Sequence, residues 1–236
     1  MIKQAFFLLI LLFDKIFPRN GMPVLFFHSM DESGSPLSIS RNKFLKFAGH
    51  LHKRGYHKSV LITFDDGYKN NIAAIQALRQ FNFKIVVFVA TGFIGKKNTF
   101  CRKDFPRLEM MSRDDISELS RQGVKFGAHG HTHRNLPELS PKELTFEIKE
   151  SKRIIETAIG KNIDYFCYPR GKFNDRVINA LKNNGFKMAF TSKTGIISHY
   201  SPPFLLPRVP LNDAVSMLQF RALLSPWYAT FRNIIR

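Results

Sequence analysis

The sequence predicts an α/β protein whose parallel strands curl into a barrel-like sheet. Three observations carry this expectation. Short apolar runs of strand length alternate with amphipathic stretches of helix length, the order of βαβ units. The 236 residues, 44% of them hydrophobic and 24 of them Phe, suffice for one domain with a sizeable core. Asp65, Asp66, His129 and Arg170 all fall at or just after the C-terminal ends of predicted strands, where such a barrel gathers its reactive groups. No internal repeat, low-complexity tract or linker marks a domain boundary.

The elements follow in order. Ala5 to Phe13 is a run of nine apolar residues flanked by Lys3 and by Asp14 and Lys15, too short to span a bilayer as a helix. It is similar to a signal-peptide core, yet Asp14, Lys15 and Pro18 follow where a small-residue cleavage site would stand. The run reads as an interfacial helix with its lysines at the headgroups, or as a helix packed on the outside of the barrel. Met22 to His28 is a short buried strand that ends in a histidine. Ser40 stands at the N-cap of a helix with Phe44, Leu45, Phe47, Ala48 and Leu51 on one face and a solvated basic face opposite. The apolar run from Val60 is rich in β-branched residues and reads as a buried strand, with Gly67 as its turn signal.

A helix from Asn71 to Gln80 and a strand from Lys84 to Ala90 come next, and Thr91 to Arg107 is a long, basic loop. Ser112 and Asp115 form a capping box for a helix that Gly123 ends. Residues 124–128 are a strand. Ser140-Pro141-Lys142-Glu143 combines a cap, a proline at the first helical position and an acid at the third, starting a helix that runs to about Ile159. A strand over 163–168, a helix capped by Asn174 and a strand from Lys187 to Thr191 complete the alternation.

Two stretches concentrate the chemistry. Thr63-Phe64-Asp65-Asp66-Gly67 places two carboxylates at the mouth of a buried strand, a costly arrangement unless a metal, a cation or a reaction uses them. Successive strand side chains point oppositely, so the two acids need not share a task. The bland alternative is a solvated strand end that caps the next helix. Gly127-Ala128-His129-Gly130-His131-Thr132-His133 puts two imidazoles four residues apart, within reach of one ion, with His131 directed elsewhere. A surface or hydrogen-bonded histidine cluster is the competing reading. One Asp and two His around an open position is a hydrolytic metal arrangement.

Together with Leu136 and with Phe166-Cys167-Tyr168-Pro169-Arg170-Gly171, these stretches resemble the polysaccharide deacetylase superfamily, the NodB-homology domain, over roughly residues 22 to 210. The resemblance implies a distorted, incomplete (β/α) barrel and a metal-dependent carbohydrate N-deacetylase. It implies that Asp66, His129 and His133 hold a divalent metal, zinc foremost. Asp65 is then the general base, the Arg170 backbone N–H the oxyanion donor, and Tyr168 and Pro169 part of the substrate loop. Many relatives carry a catalytic histidine late in the chain. Here His199 lacks the matching surroundings, whereas His28 ends an early apolar strand as in relatives with circularly permuted motifs. His28 is thus the candidate acid. Cys167 occupies the place of an arginine that orients the base in many members, and Arg208 is either its replacement near substrate or an ordinary surface arginine.

Lys and Arg outnumber Asp and Glu by 36 to 18, which points to an anionic partner. The expected substrate is an N-acetylated sugar or polysaccharide, including a polyprenyl-phosphate-linked form, beside an anionic membrane surface. No nucleic-acid motif accompanies the charge. Residues 1–20 are expected as a membrane-interfacial segment, 21–212 as the deacetylase-like domain and 213–236 as a basic amphipathic tail. That tail carries Trp227, Tyr228, Phe231 and Arg236 and is broken at Pro226, suited to a membrane interface or to packing on the N-terminal helix. Peripheral inner-membrane association is the expected location, with a periplasmic or secreted one as the alternative. A catalytically inactive basic protein on the same fold, binding membrane or nucleic acid, is the competing function. Cys101 and Cys167 show no CxxC spacing and leave the redox compartment open.

Overall fold

In the computed structural model, which describes residues 2–17, 20–101 and 105–234, seven parallel strands close into a ring. Helix α1 (Ile2–Ile16) precedes strand β1 (Val24–Phe27). Two-residue strands β2 (Ser29–Met30) and β3 (Ser38–Ile39) pair with each other outside the ring. Helices and strands then alternate: α2 (Arg41–Lys53), β4 (Leu61–Phe64), α3 (Ile72–Gln80), β5 (Lys84–Val89), α4 (Arg113–Arg121), β6 (Lys125–Ala128) and α5 (Pro141–Ile159). They continue as β7 (Tyr165–Cys167), α6 (Asp175–Asn183), β8 (Met188–Thr194), β9 (Leu206–Pro210), α7 (Met217–Leu223) and α8 (Trp227–Ile234).

The strand order is β1-β4-β5-β6-β7-β8-β9, and β9 returns to β1 through Leu25 opposite Val209 and Phe26 opposite Pro210. The expected barrel is thus present, closed, with seven strands where the full (β/α) barrel has eight. Its distortion is local. Strands β6 and β7 meet through Ala128 and Phe166, and the β8–β9 register shifts between Phe190 and Thr194. Strand β9 was not expected, because Pro207 and Pro210 argue against a paired interior strand. It forms where the ladder is already irregular, with Arg208 and Val209 between the prolines.

Side chains sort by strand alternation. On β5, Ile85, Val87 and Val89 join the core beneath the helices, while Val86 and Phe88 meet Val24, Cys167, Phe190 and Leu206 inside the ring. The Arg208 guanidinium lies 4.1 Å above the Phe26 ring, so this interior holds a cation as well as apolar side chains.

The helix starts behave as their residues dictate. Ser112 with Asp115 and Ser140 with Glu143 form reciprocal capping boxes, and the Asn174 side chain accepts from the Val177 N–H. Ser40 stands at the N-cap of α2, but its hydroxyl donates to Asp213 Oδ1 at 2.7 Å and caps no helix N–H. Asp213 thereby ties the C-terminal segment to α2. The expected amphipathic tail is built into the core: Phe220 is buried and stacks on Phe47 at 4.3 Å, a contact whose truncation to Ala costs about 3–5 kcal/mol.

Of the two readings offered for the N-terminal run, packing is realised on one face. Phe13 meets Trp227 at 4.8 Å and Phe231 at 5.0 Å, Ser225 Oγ donates to Asp14 Oδ1, and Trp227 Nε1 donates to the Phe17 carbonyl. Among the described residues, no helix is long and apolar enough to cross a membrane. Pro18 and Arg236 lie outside the described residues.

Candidate metal centre and active site

The site sits at the C-terminal ends of the barrel strands. Strand β4 delivers Asp65 and Asp66, both 2% exposed, and the chain turns sharply between them. Asp65 continues the interior-facing row of Thr63, whereas Asp66 adopts a left-handed φ of 71° that sends its carboxylate another way. The two carboxylates therefore face different surroundings.

Asp66 Oδ1 lies 3.4 Å from His129 Nε2 and 3.3 Å from His133 Nε2. The His129 Nδ1 is 2.8 Å from the Cys167 carbonyl. A carbonyl only accepts, so Nδ1 carries a proton and Nε2 faces Asp66, where a bound cation would take the place of a second proton. That is the arrangement by which an outer partner aims a metal-ligating imidazole. Two ligands bound to a tetrahedral ion at about 2.0–2.1 Å stand about 3.3 Å apart, which matches both spacings. Asp66 Oδ1 is buried and without a hydrogen-bond partner among the described residues, an expensive state that a cation would relieve. Asp66, His129 and His133 thus fit a divalent metal. Burial opposes ionisation of Asp66, yet the charge of His133, with that of His129, holds its carboxyl well below the usual range. Burial pushes the His133 imidazole down, toward the neutral, ligating form.

Asp65, His129 and Cys167 also bring three ligating atoms within 4.8 Å of one another. This group does not fit a cation, because Arg208 already occupies it. Arg208 Nη1 donates to Asp65 Oδ1 at 2.7 Å and Nη2 to Asp65 Oδ2 at 2.8 Å, a bidentate pair. Nη1 also reaches Thr63 Oγ1, Nη2 reaches Cys167 Sγ at 3.1 Å, and Nε donates to the Thr191 carbonyl. The five guanidinium donors are accounted for, so none remains for substrate. The expectations that placed Arg208 at the substrate or on the surface are corrected: it is buried and sets its positive charge against Asp65, the place offered for it as a replacement of the family arginine. Burial opposes the charge on Asp65, but Arg208, by attraction and hydrogen bonding, pulls its carboxyl below the ordinary range. Burial holds the Cys167 thiol above its ordinary range against the opposing pull of Arg208.

A cavity of about 420 Å³ opens above these groups, lined by His28, Asp65, Asp66, His133, Arg170 and Arg208 among others. His28 follows β1, and Asn71 Nδ2 donates to its carbonyl at 2.6 Å, fixing the strand end. Phe100, from the long loop after β5, packs its ring 4.4 Å from that of His133, so the loop does stand over the site. In the 169–171 turn Arg170 takes a left-handed φ of 56°, and a side chain at Gly171, also left-handed, would collide with Ser192. Tyr168 lines the cavity with its ring, but its hydroxyl donates to the Phe204 carbonyl at 2.9 Å and is not free for substrate. Pro169 is buried beneath the turn.

One positioning group escaped the sequence reading. Glu147 of α5 is buried, and its Oε2 accepts the backbone N–H of His131 at 2.7 Å and of Thr132 at 2.8 Å, while Thr132 Oγ1 donates to Oε1. One carboxylate therefore holds the loop between the two imidazoles. The signal was available: Glu147 interrupts the buried stripe of Leu144, Ile148, Ser151 and Ile155. His131, as expected, turns away and pairs with Thr91 Oγ1.

The model of the family described as polysaccharide deacetylase matches residues 52–189, more than half of the chain. The chain belongs to the polysaccharide deacetylase family. The chain is 25% identical over 221 residues to YxkH of Bacillus subtilis, covering 85% of this chain and 75% of that protein. It is 27% identical over 205 residues to the poly-β-1,6-N-acetyl-D-glucosamine N-deacetylase of Staphylococcus epidermidis, covering 80% of this chain and 65% of that protein. The structure of IcaB from Ammonifex degensii superposes with a TM-score of 0.74 at 21% identity, over 88% of this chain and 98% of that one, a likeness of fold. The family match spans Asp65, Asp66, His129, His133 and the 168–171 turn, but neither His28 nor Arg208. The comparisons do not show a circular permutation of the deacetylase motifs.

Proposed function

We propose that this polysaccharide deacetylase removes N-acetyl groups from a polymer of N-acetylhexosamine, with zinc held by Asp66, His129 and His133. The observation that carries the reading is the buried, unpartnered Asp66 Oδ1 flanked by two Nε2 atoms. The S. epidermidis relative, named for poly-β-1,6-N-acetyl-D-glucosamine, supports N-acetylglucosamine as the sugar. When bound, the metal supplies Lewis acidity that polarises the acyl carbonyl and lowers the pKa of the attacking water.

The residues of the chain supply the proton transfers. Asp65 stays ionised beside Arg208, and the paired hydrogen bonds use one lone pair of each oxygen, leaving another to take the proton of water. The water oxygen bonds to the acyl carbon while negative charge grows on the carbonyl oxygen. The Arg170 backbone N–H, in the left-handed turn at the cavity wall, is the donor assigned to that oxygen. His28, which lines the same cavity, gives a proton to the departing nitrogen as the C–N bond breaks. The products are a carboxylate and an amine on the sugar.

The test is acetate release by zinc-loaded protein from an N-acetylglucosamine oligosaccharide and from the same sugar on polyprenyl phosphate. Release from either substrate, abolished in Asp65→Asn with metal retained, is the expected result. Full metal occupancy with no release from either would favour the binding-protein reading and discard the hydrolase.

A further inference from the structure

Helix α1 is apolar on two faces, and the fold covers one. Ile10 is fully buried, while Phe6 and Phe13 pack on Tyr228, Trp227 and Phe231 of α8. Asp14, the one acidic residue of α1, is engaged on this inner side by Ser225. On the outer side Ala5, Leu8, Leu9, Leu12 and Ile16 are exposed at spacings of three and four residues, a continuous helical stripe, and Phe17 extends it. Each of the large side chains is 48–57% exposed, and they make up five of the eleven large hydrophobic residues exposed among the described residues. Such a concentration is not the scatter normal for a protein surface.

We infer that the outer face of α1 is a docking surface for an anionic lipid bilayer. Charge selects this occupant. Lys3 and Lys15 are exposed at the two ends of the stripe, the helix's acid is on the other side, and the chain carries a net charge of +18. A second copy of the chain would bring the same sign against itself, whereas an anionic leaflet is attracted to it. The clamp onto α8 keeps α1 alongside the folded body, so the helix lies in the interface with its leucines in the acyl boundary and its lysines at the headgroups. This association is independent of the deacetylase chemistry.

The experiment is co-sedimentation of the full chain with vesicles of phosphatidylcholine alone and of phosphatidylcholine mixed with phosphatidylglycerol, beside sedimentation equilibrium without lipid. The wild type should bind the anionic vesicles more tightly than the zwitterionic ones and lose that preference in high salt. The outward substitutions L8N/L9N/L12N touch no core contact and should weaken binding at least about tenfold with the thermal melt unchanged. Lys3→Glu with Lys15→Glu should remove the anionic preference while leaving the apolar face intact. A wild-type chain that ignores both vesicles overturns the inference. So does a lipid-free dimer that L8N/L9N/L12N abolishes, which would make the stripe a self-association surface.

Discussion

The two carboxylates of Asp65-Asp66 are neighbours in sequence, equally buried, and surrounded by opposite kinds of partner. Asp66 meets two imidazoles from one short loop, His129 and His133, and its inner oxygen is left without a hydrogen bond. Asp65 meets a single guanidinium from 143 residues away, and both its oxygens are paired. On the proposed reading a cation would complete the first acid, whereas the second already has its counter-ion. The contrast fits the proposed division of labour, in which a ligand would keep an oxygen open and a base would stay ionised and fixed.

The sharpest way to break this comparison is Asp66→Ala. Loss of a first ligand should reduce activity beyond the roughly 10–100-fold typical of outer-partner mutations, with bound metal lost in parallel. Metal analysis of the purified variant checks it, and retained full occupancy would mean that the ion sits elsewhere.

Arg208→Met tests the other acid. It strands the Asp65 carboxylate in the barrel interior, a change that costs about 3–5 kcal/mol in urea unfolding. Asp65→Asn combined with Arg208→Met should recover part of that stability without recovering turnover. Acid should separate the same pair. Burial alone raises the Asp65 pKa, and Arg208 more than offsets this to lower it. A carboxyl lowered in the folded state gives stability present above the unfolded value near about 4 and lost as pH falls through the folded value. The stability gap between wild type and Arg208→Met should therefore hold at neutral pH and narrow on acidification.

What could be read from the sequence follows the same division. The grouping of Asp66 with His129 and His133 was legible because the histidines lie four apart in one loop and Asp66 ends a clear strand. Arg208 could be named but not placed, since Pro207 and Pro210 concealed the strand that carries it into the barrel. The left-handed conformations of Asp66, His133 and Arg170 were not legible either. None of the three is a residue that favours that region as glycine does, and only the assembled site holds them there. The alternation of helices and strands, three of the caps and the break at Pro226 were all read correctly from local chemistry. Packing of the tail on α1 was one of the two readings open, whereas its docking on α2 depends on long-range packing that local chemistry does not encode.

Glu147→Gln makes a smaller and more selective cut. The amide keeps one acceptor oxygen where the carboxylate serves two N–H groups and a hydroxyl, so one buried donor goes unpaired at about 1–3 kcal/mol. With both imidazoles retained but their loop loosened, metal affinity should fall roughly 10–100-fold, and excess metal should restore turnover. A variant with unchanged affinity would reduce Glu147 to a packing residue.

Cys167→Ala should do least, and its small effect is informative. Cys167 offers a sulfur to Arg208 at 3.1 Å and stands 3.5 Å from Asp65 Oδ2, but Arg208 keeps both oxygens of Asp65 without it. A weak acceptor lost while the ion pair persists is worth about 1 kcal/mol of stability, and turnover should stay within about tenfold. On this view a cysteine suits the position because it is small: an arginine there would compete with Arg208 for the same carboxylate. If Cys167→Ala instead sheds the metal, the ion must bind Asp65, His129 and Cys167, and the roles of the two carboxylates would be exchanged.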